Sequence, residues 1–222
     1  MSRVLAFSCT HIPFEKRDCL RFLFRVAEKY KITDVVCLGD LTDNHSLSSW
    51  GDTVDGLSAD EEYSRSINKL RKWYEVFPKM KLCIGNHETR LERKTKKHNI
   101  SSNFIKSYSK IWNTPDSWEW EFSHEIDGVL YLHGHLNRAV PAFTLAEAYR
   151  QSVVCGHSHA IAAIKYSVSF KDRIWGMNVG SLVDDKSYAM EYGRCYRRRS
   201  VISCGVVLDR GKLPIIIPMK LK

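Results

Sequence analysis

Three apolar runs in this sequence end alike: Cys37-Leu38-Gly39-Asp40, Cys83-Ile84-Gly85-Asn86 and Cys155-Gly156-His157 each pass through glycine to a side chain able to ligate a metal. One such end means little. Three in one chain predict convergence, because neighbouring strands of an α/β sheet release their loops at a common edge, and glycine permits the tight turn that aims the next side chain there. Cys37, Cys83 and Cys155 themselves read as small core residues. Around these ends stand Cys9-Thr10-His11, His133-Gly134-His135 and Gly156-His157-Ser158-His159. Side chains two apart in an extended segment point the same way, so Cys9 with His11, and His157 with His159, approach a site as pairs. Thiolate, carboxylate, imidazole and amide donors in this mix suit Zn, Fe or Mn far better than Ca or Mg. Any one of these histidines alone reads as a satisfied structural residue; their joint order and spacing reverse that preference.

The elements that must carry these residues alternate short strands with amphipathic helices, the pattern of the α/β class with functional groups on loops at strand ends. Val4 to Phe7 is the first strand, and Leu20, Leu23, Phe24, Ala27 and Tyr30 follow at helical spacing. After a second strand, Val35 to Leu38, Ser58 and Glu61 form a capping box for a helix carrying Tyr63, Ile67, Leu70, Tyr74 and Phe77, ended by Pro78. Lys81 to Ile84 is a third strand, trailed by a helical basic stretch with Arg90, Arg93, Lys94, Lys96 and Lys97. From Trp118, Trp120 and Phe122 onward, alternation and the Asp127-Gly128 turn predict a change to antiparallel sheet. Phe143 to Arg150 reads as a helix and Val153 to Cys155 as a buried strand. Further short strands run past the Asp209-Arg210-Gly211 turn to Ile217.

With 222 residues, 44% hydrophobic and 27% charged, the chain is expected to form one domain over residues 1–222. No apolar run approaches the roughly 20 residues of a membrane helix. The start, Met1-Ser2-Arg3-Val4, lacks the apolar stretch of a secretory signal, so no membrane partner is expected. Seven cysteines without a C-x-x-C pair point to a reducing, cytoplasmic setting rather than a disulfide framework. Lys plus Arg at 34 against Asp plus Glu at 25 leaves +9, which favours a polyanionic partner.

Taken in order, Cys9-Thr10-His11, Gly39-Asp40-Leu41-Thr42-Asp43, Gly85-Asn86-His87-Glu88, His133 and Gly156-His157-Ser158-His159 resemble the five blocks of the calcineurin-like metallophosphoesterase superfamily: D-x-H, G-D-x-x-D, G-N-H-[ED], a lone H and G-H-x-H. Asn178-Val179-Gly180-Ser181 is similar to that family's later N-x-G-S segment. The resemblance implies two facing mixed β-sheets flanked by helices, a four-layer αββα sandwich. It also implies two divalent metal ions about 3.5 to 4 Å apart, with Zn, Fe or Mn favoured over Mg, and a hydroxide between them that attacks phosphorus in line. Asp40 would bridge the metals. One would be held by Cys9, His11, Asp40 and His159, the other by Asp40, Asn86, His133 and His157. His87 would be the general acid at the leaving-group oxygen, oriented by Asp43. His135 competes with His133, which is preferred because it directly follows the strand Val129 to Leu132. Most family members carry Asp where this chain has Cys9, and RNA lariat debranching enzymes resemble the chain in having Cys there. A soft thiolate biases its metal towards Zn or Fe(II); the alternative is that Cys9 marks a lost ligand.

The expected substrate is a phosphoester, preferably a phosphodiester in DNA, RNA or a nucleotide, because +9 favours a polyanion. A phosphomonoesterase acting on a nucleotide or a terminal phosphate is the alternative enzyme, and a noncatalytic binding scaffold the alternative of another class. Asp43 is followed by Asn44-His45 where protein Ser/Thr phosphatases continue with Arg-Gly, which argues against that subgroup. Arg90 and Arg138 each follow a ligand block and are candidates for binding a substrate oxygen. Lys106, Trp112, Trp118 and Trp120 read either as a groove with stacking surfaces or as ordinary packing. Arg197-Arg198-Arg199 reads either as a phosphate contact or as a solvated turn.

Overall fold

Val4–Phe7 forms strand β1, buried at all four positions, in a computed structural model that describes residues 1–48, 56–134, 141–187 and 199–220. Helix α1 (Cys19–Tyr30), β2 (Asp34–Cys37), helix α2 (Ala59–Val76), β3 (Met80–Cys83), α3 (Arg90–Lys97), the short α4 (Tyr108–Trp112) and β4 (Trp118–Glu121) follow. β1 to β4 pair in parallel, with Val4 opposite Asp34, Val36 opposite Lys81 and Met80 opposite Trp118. The change to antiparallel sheet therefore comes later than the alternation around Trp118 predicts. Alternation reports only which face of a strand is covered, and an edge strand shows it whatever the direction of its neighbour.

A hairpin at Asp127-Gly128 joins β5 (Ser123–Ile126) to β6 (Val129–Leu132). Helix α5 (Ala142–Tyr149), β7 (Ser152–Cys155), β8 (Ala162–Val168) and β9 (Arg173–Val179) complete a sheet of order β5-β6-β7-β9-β8, parallel at its centre and antiparallel at both edges. The chain then returns to the first sheet: β10 (Ser203–Leu208) pairs with β1 and with β11 (Leu213–Pro218), so that sheet runs β11-β10-β1-β2-β3-β4.

Period-two alternation decides which layer each residue joins. Val4, Ala6, Val36 and Leu38 meet Tyr131, Val154, Trp175 and Met177 of the second sheet. Leu5, Phe7, Cys37 and Leu82 pack instead under α1 and α2, against Leu23, Leu70 and Trp73. On the far side, Ala142 and Ala146 of α5 cover Leu132, Val153 and Cys155. The result is a helix, sheet, sheet, helix sandwich of two mixed sheets.

Both long helices turn a slightly different face inward than their apolar spacing predicts. The capping box of α2 is present, with Ser58 Oγ accepting from Glu61 N and the Glu61 carboxylate accepting from Ser58 N. Its buried face is Glu62, Ser66, Leu70 and Trp73, while Tyr63 is exposed. Glu62 is drawn inward because its carboxylate accepts from His45 N at 2.7 Å and Ser46 N at 2.9 Å, a polar requirement that hydrophobic periodicity does not register. In α1 the buried residues are Cys19, Leu23 and Val26, and Phe24 is exposed.

Candidate metal centre

The carboxyl ends of β1, β2, β3, β6 and β7 open at one edge of the sandwich. Cys9 N donates to Gly39 O at 3.0 Å, and Gly156 N to His133 O at 3.1 Å, tying adjacent strand ends together. At two of the glycines the requirement is room rather than a turn. A Cβ on Gly85 would lie 2.3 Å from Asp40 Oδ1, and one on Gly156 would lie 1.8 Å from Ser8 Oγ. Four of the candidate ligands have left-handed backbone: Cys9, His11, Asp40 and His157 have φ of 52°, 51°, 52° and 60°. Each costs about 1 kcal/mol or more in a residue with a side chain and persists only where its surroundings over-determine it.

The side chains converge as two groups that meet at Asp40. In the first, His11 Nε2 lies 3.1 Å from His159 Nε2, and Cys9 Sγ completes the cluster. In the second, His133 Nε2 lies 3.0 Å from Asn86 Oδ1, 3.0 Å from His157 Nδ1 and 3.2 Å from Asp40 Oδ2. The other ring nitrogen of His133 faces Leu38 O at 2.8 Å, which fixes the proton on Nδ1 and leaves Nε2 as the donor atom. Asp40 Oδ2 also stands 4.0 Å from His11 Nε2 and 3.9 Å from His87 Nε2, while Oδ1 accepts from His87 N at 2.9 Å.

Beside this cluster, Asp43 links three cationic or titratable groups. Its Oδ2 lies 3.2 Å from His11 Nδ1 and its Oδ1 3.2 Å from His87 Nδ1, with Asp43 O only 2.7 Å from the same His87 nitrogen. Arg90 Nη1 donates to Asp43 Oδ1 at 2.8 Å, to Asp43 O at 2.9 Å and to Asn44 O at 3.1 Å, and its Nη2 lies 3.3 Å from His87 Nε2. One guanidinium nitrogen of Arg90 is thus committed to the protein.

Burial dominates the electrostatics. It pushes the Cys9 thiol well up, helped by the Asp40 charge, and lowers His11 and His159. Burial and the neighbouring His133 bring His157 down to about 4. For His133 and His87 burial also opposes the charge, but Asp40 outweighs it and both are raised, with Asp43 assisting at His87. Burial likewise opposes ionisation of Asp40 and Asp43, yet the surrounding imidazoles hold both carboxyls well below the usual range.

All seven candidate ligands and both candidate catalytic residues come together at this edge. His135, Arg138, Arg197 and Arg198 lie outside the described residues. Trp112 and Trp118 are core residues, and Trp120 stacks on Tyr108, so ordinary packing accounts for all three. Lys106 lines a cavity between α3 and α4 rather than the centre. Asn178 bonds Ala142 N and Cys155 Sγ, serving the start of α5. The residue that motif reading left without a role is Glu88. Its Oε2 accepts from Asp40 N and Gly85 N, both at 2.8 Å, and its Oε1 from Leu41 N at 2.9 Å and Thr42 N at 3.4 Å. It is the clasp between the two loops that present Asp40 and Asn86. The signal was its place as the fourth residue of the Gly85-Asn86-His87-Glu88 block.

The donor set fits divalent metal ions. His11 Nε2 and His159 Nε2 face each other at 3.1 Å, and the Cys, His and Asp donor atoms within each of three groups lie within 4.8 Å of one another: Cys9-His11-His159, Cys9-Asp40-His133 and His11-Asp40-His87. Sulfur, imidazole, carboxylate and amide oxygen together are the ligands of Zn, Fe and Mn.

A model of the calcineurin-like phosphoesterase superfamily domain matches residues 2–194. Among solved structures the chain is similar to an archaeal phosphodiesterase at 16% identity, over 98% of this chain and 99% of that chain, with a TM-score of 0.49. It is similar to a metallophosphoesterase from Sphaerobacter thermophilus at 12% identity, over 99% and 88%, with a TM-score of 0.49. Vps29 from Entamoeba histolytica, complexed with zinc, is similar at 13% identity over 96% and 89%, with a TM-score of 0.44. A comparison with curated proteins finds no match.

Proposed function

The chain belongs to the calcineurin-like phosphoesterase superfamily, a metal-dependent phosphoester hydrolase, and on that premise we propose that it is a phosphodiesterase acting on nucleic acid or nucleotides. The observation that carries the reading is the joining of two donor groups at Asp40, with Asp43 and His87 beside them. In this reading Cys9, His11, Asp40 and His159 hold one metal, and Asp40, Asn86, His133 and His157 hold the second. Zn, Fe(II) or Mn suit these donors better than Mg, and Cys9 makes the first site the softer one. Bound there, the two ions supply Lewis acidity towards the phosphoryl oxygens and an activated water.

The chain's own residues supply the rest. Asp43, through its carbonyl and carboxylate, accepts from His87 Nδ1–H and so orients the ring. Asp40 and Asp43 favour the imidazolium against burial and the Arg90 charge, and in that form His87 would carry on Nε2 the proton for the leaving oxygen. Arg90 braces Asp43 from behind. The diester preference draws on the charge of +9 and on the basic groove beside Asn86. A single domain over 1–222 and a reducing, cytoplasmic setting belong to the same reading; β10 and β11 complete the sheet that begins with β1, and Cys9, Cys19, Cys37, Cys83 and Cys204 are buried thiols.

The test is hydrolysis of a chromogenic phosphodiester and the matching monoester by metal-free protein reloaded with Zn, Fe(II), Mn or Mg. Diester turnover at least ten-fold above monoester turnover is expected. Monoester turnover alone would make the protein a phosphatase, and silence at full metal occupancy a scaffold. In the same assay Cys9→Asp should move the preference towards Mn or Mg; an unchanged preference removes Cys9 from the ligand set.

A further inference from the structure

Building on the phosphodiesterase reading, we infer that the groove along α3 binds the phosphates that neighbour the scissile one in a strand of nucleic acid, so that the substrate is an oligonucleotide rather than a small diester. The groove encloses about 460 Å³ and its lining includes Asn86, Arg90, Arg93, Lys94, Lys97 and His98, with no carboxylate among the described residues. Arg90, Arg93, Lys94 and Lys97 stand at i, i+3, i+4 and i+7 of one helix, which puts all four cations on a single stripe. Like charges at that spacing repel one another, and an anion lying in the groove removes the repulsion.

The helix carries its acid elsewhere. Glu92 turns to the other side, where its Oε1 accepts from Tyr108 OH at 2.5 Å. Among the described residues Asp43 pairs with Arg90, and no carboxylate is paired with Arg93, Lys94 or Lys97. The stripe also begins at the metal centre: Asn86 lines the groove, its side chain meets His133 Nε2 at 3.0 Å, and its carbonyl accepts from Arg93 Nη2 at 2.7 Å. From Arg90 to Lys97 the stripe is about 10 Å long. Consecutive phosphates along a single strand stand farther apart than the roughly 3.4 Å axial rise of a duplex, so the stripe has room for about two of them. A mononucleotide held at the metals would leave most of it unused.

The test measures binding of a dye-labelled oligothymidylate with hydrolysis-resistant phosphorothioate linkages to the metal-loaded protein, as a function of salt. Arg93→Gln combined with Lys97→Gln removes two charges from the groove. Lys72→Gln combined with Lys96→Gln removes two from α2 and from the opposite side of α3, as a control of equal net charge. Thermal melting checks that both fold. The groove variant should bind at least ten-fold more weakly at low salt, and its slope of log K against log salt should fall by about 1.4, the share of two phosphate contacts on a single strand. The control should stay within two-fold of the parent. Equal binding by the two variants, or no strand binding by the parent, overturns the groove while leaving small-diester hydrolysis to stand by itself. Loss confined to the groove variant in an enzyme that cleaves only monoesters would overturn the diester reading and keep the groove.

Discussion

At His87 two roles compete at one ring. Its Nε2 is 3.9 Å from Asp40 Oδ2 and belongs to one of the donor clusters, so it stands close enough to be counted as a ligand. Its Nδ1, however, is engaged by Asp43, and its charged form is favoured, which suits a proton donor rather than a metal donor. His87→Ala is therefore expected to keep its metal content and lose 10²- to 10⁴-fold in turnover, whereas Asp40→Ala should lose metal; elemental analysis beside kcat separates the two, and metal loss in His87→Ala would make it a ligand. His157 gives the pH dependence. Its folded pKa of about 4 lies below the unfolded value near 6.5. The unfolded chain therefore takes up the proton first, and stability that is complete above about pH 6.5 is lost as pH falls towards 4. With partial solvent screening this is about 1 kcal/mol at pH 5. In metal-free protein His157→Gln should shrink the fall in melting temperature between pH 7 and pH 5 by roughly 3 °C; an unchanged fall removes His157 from the acid response. The residue types and their order were readable without coordinates because donor chemistry is a property of side chains. The left-handed backbone at Cys9, His11, Asp40 and His157 was not, since nothing in those side chains announces it.

Loops rather than strands hold the geometry, and Glu88 is where two of them lock. One carboxylate takes four backbone N–H groups, from Asp40, Leu41 and Thr42 after β2 and from Gly85 after β3. Charge-assisted bonds of this kind are worth about 1.5 to 3 kcal/mol each where the donors are buried. Glu88→Gln keeps one acceptor oxygen and turns an amide donor towards two others, so a loss of about 3 kcal/mol is expected, or roughly 6 to 12 °C in melting temperature. Metal affinity should fall 10- to 100-fold, as for other residues that orient ligands without touching the metal. Calorimetric melting and a metal competition titration check both, and wild-type affinity would mean that the loops hold their shape without the clasp. Elements were legible where periodicity and cap chemistry agreed, as at Ser58 and Glu61. They were misjudged where a polar partner overrode periodicity, as when Glu62 turned inward and Tyr63 outward. The parallel pairing of Trp118 with Met80 was hidden for a different reason, since strand direction is settled by partners distant in sequence.

Across the whole molecule, β10 and β11 lie beyond residue 194, outside the match to the family model yet inside the first sheet. β10 pairs antiparallel with β1, from Val4 opposite Val207 to Ala6 opposite Gly205, and β11 pairs in turn with β10. β1 is the strand that delivers Cys9 and His11 to the metal centre, so the far end of the chain supports the near end. Cys204 and Val206 pack under the helices, Val207 and Ile216 pack between the sheets, and Gly211 O accepts from Trp175 Nε1 at 3.0 Å, bracing one sheet on the other. Burying Cys204, Val206 and Val207 and half-burying Ile216 contributes about 5 to 8 kcal/mol, on the scale of the roughly 5 to 15 kcal/mol that keeps a domain folded. Removing β10 and β11 would also leave β1, four apolar residues, as an open edge prone to aggregation. A chain ended at residue 194 is therefore expected to lose cooperative melting and to aggregate, by calorimetry and size-exclusion chromatography, and to fail to retain metal. A fragment that melted cooperatively with its metals in place would show instead that β10 and β11 are an appendage, and the unit proposed over residues 1–222 would shrink to the first 194.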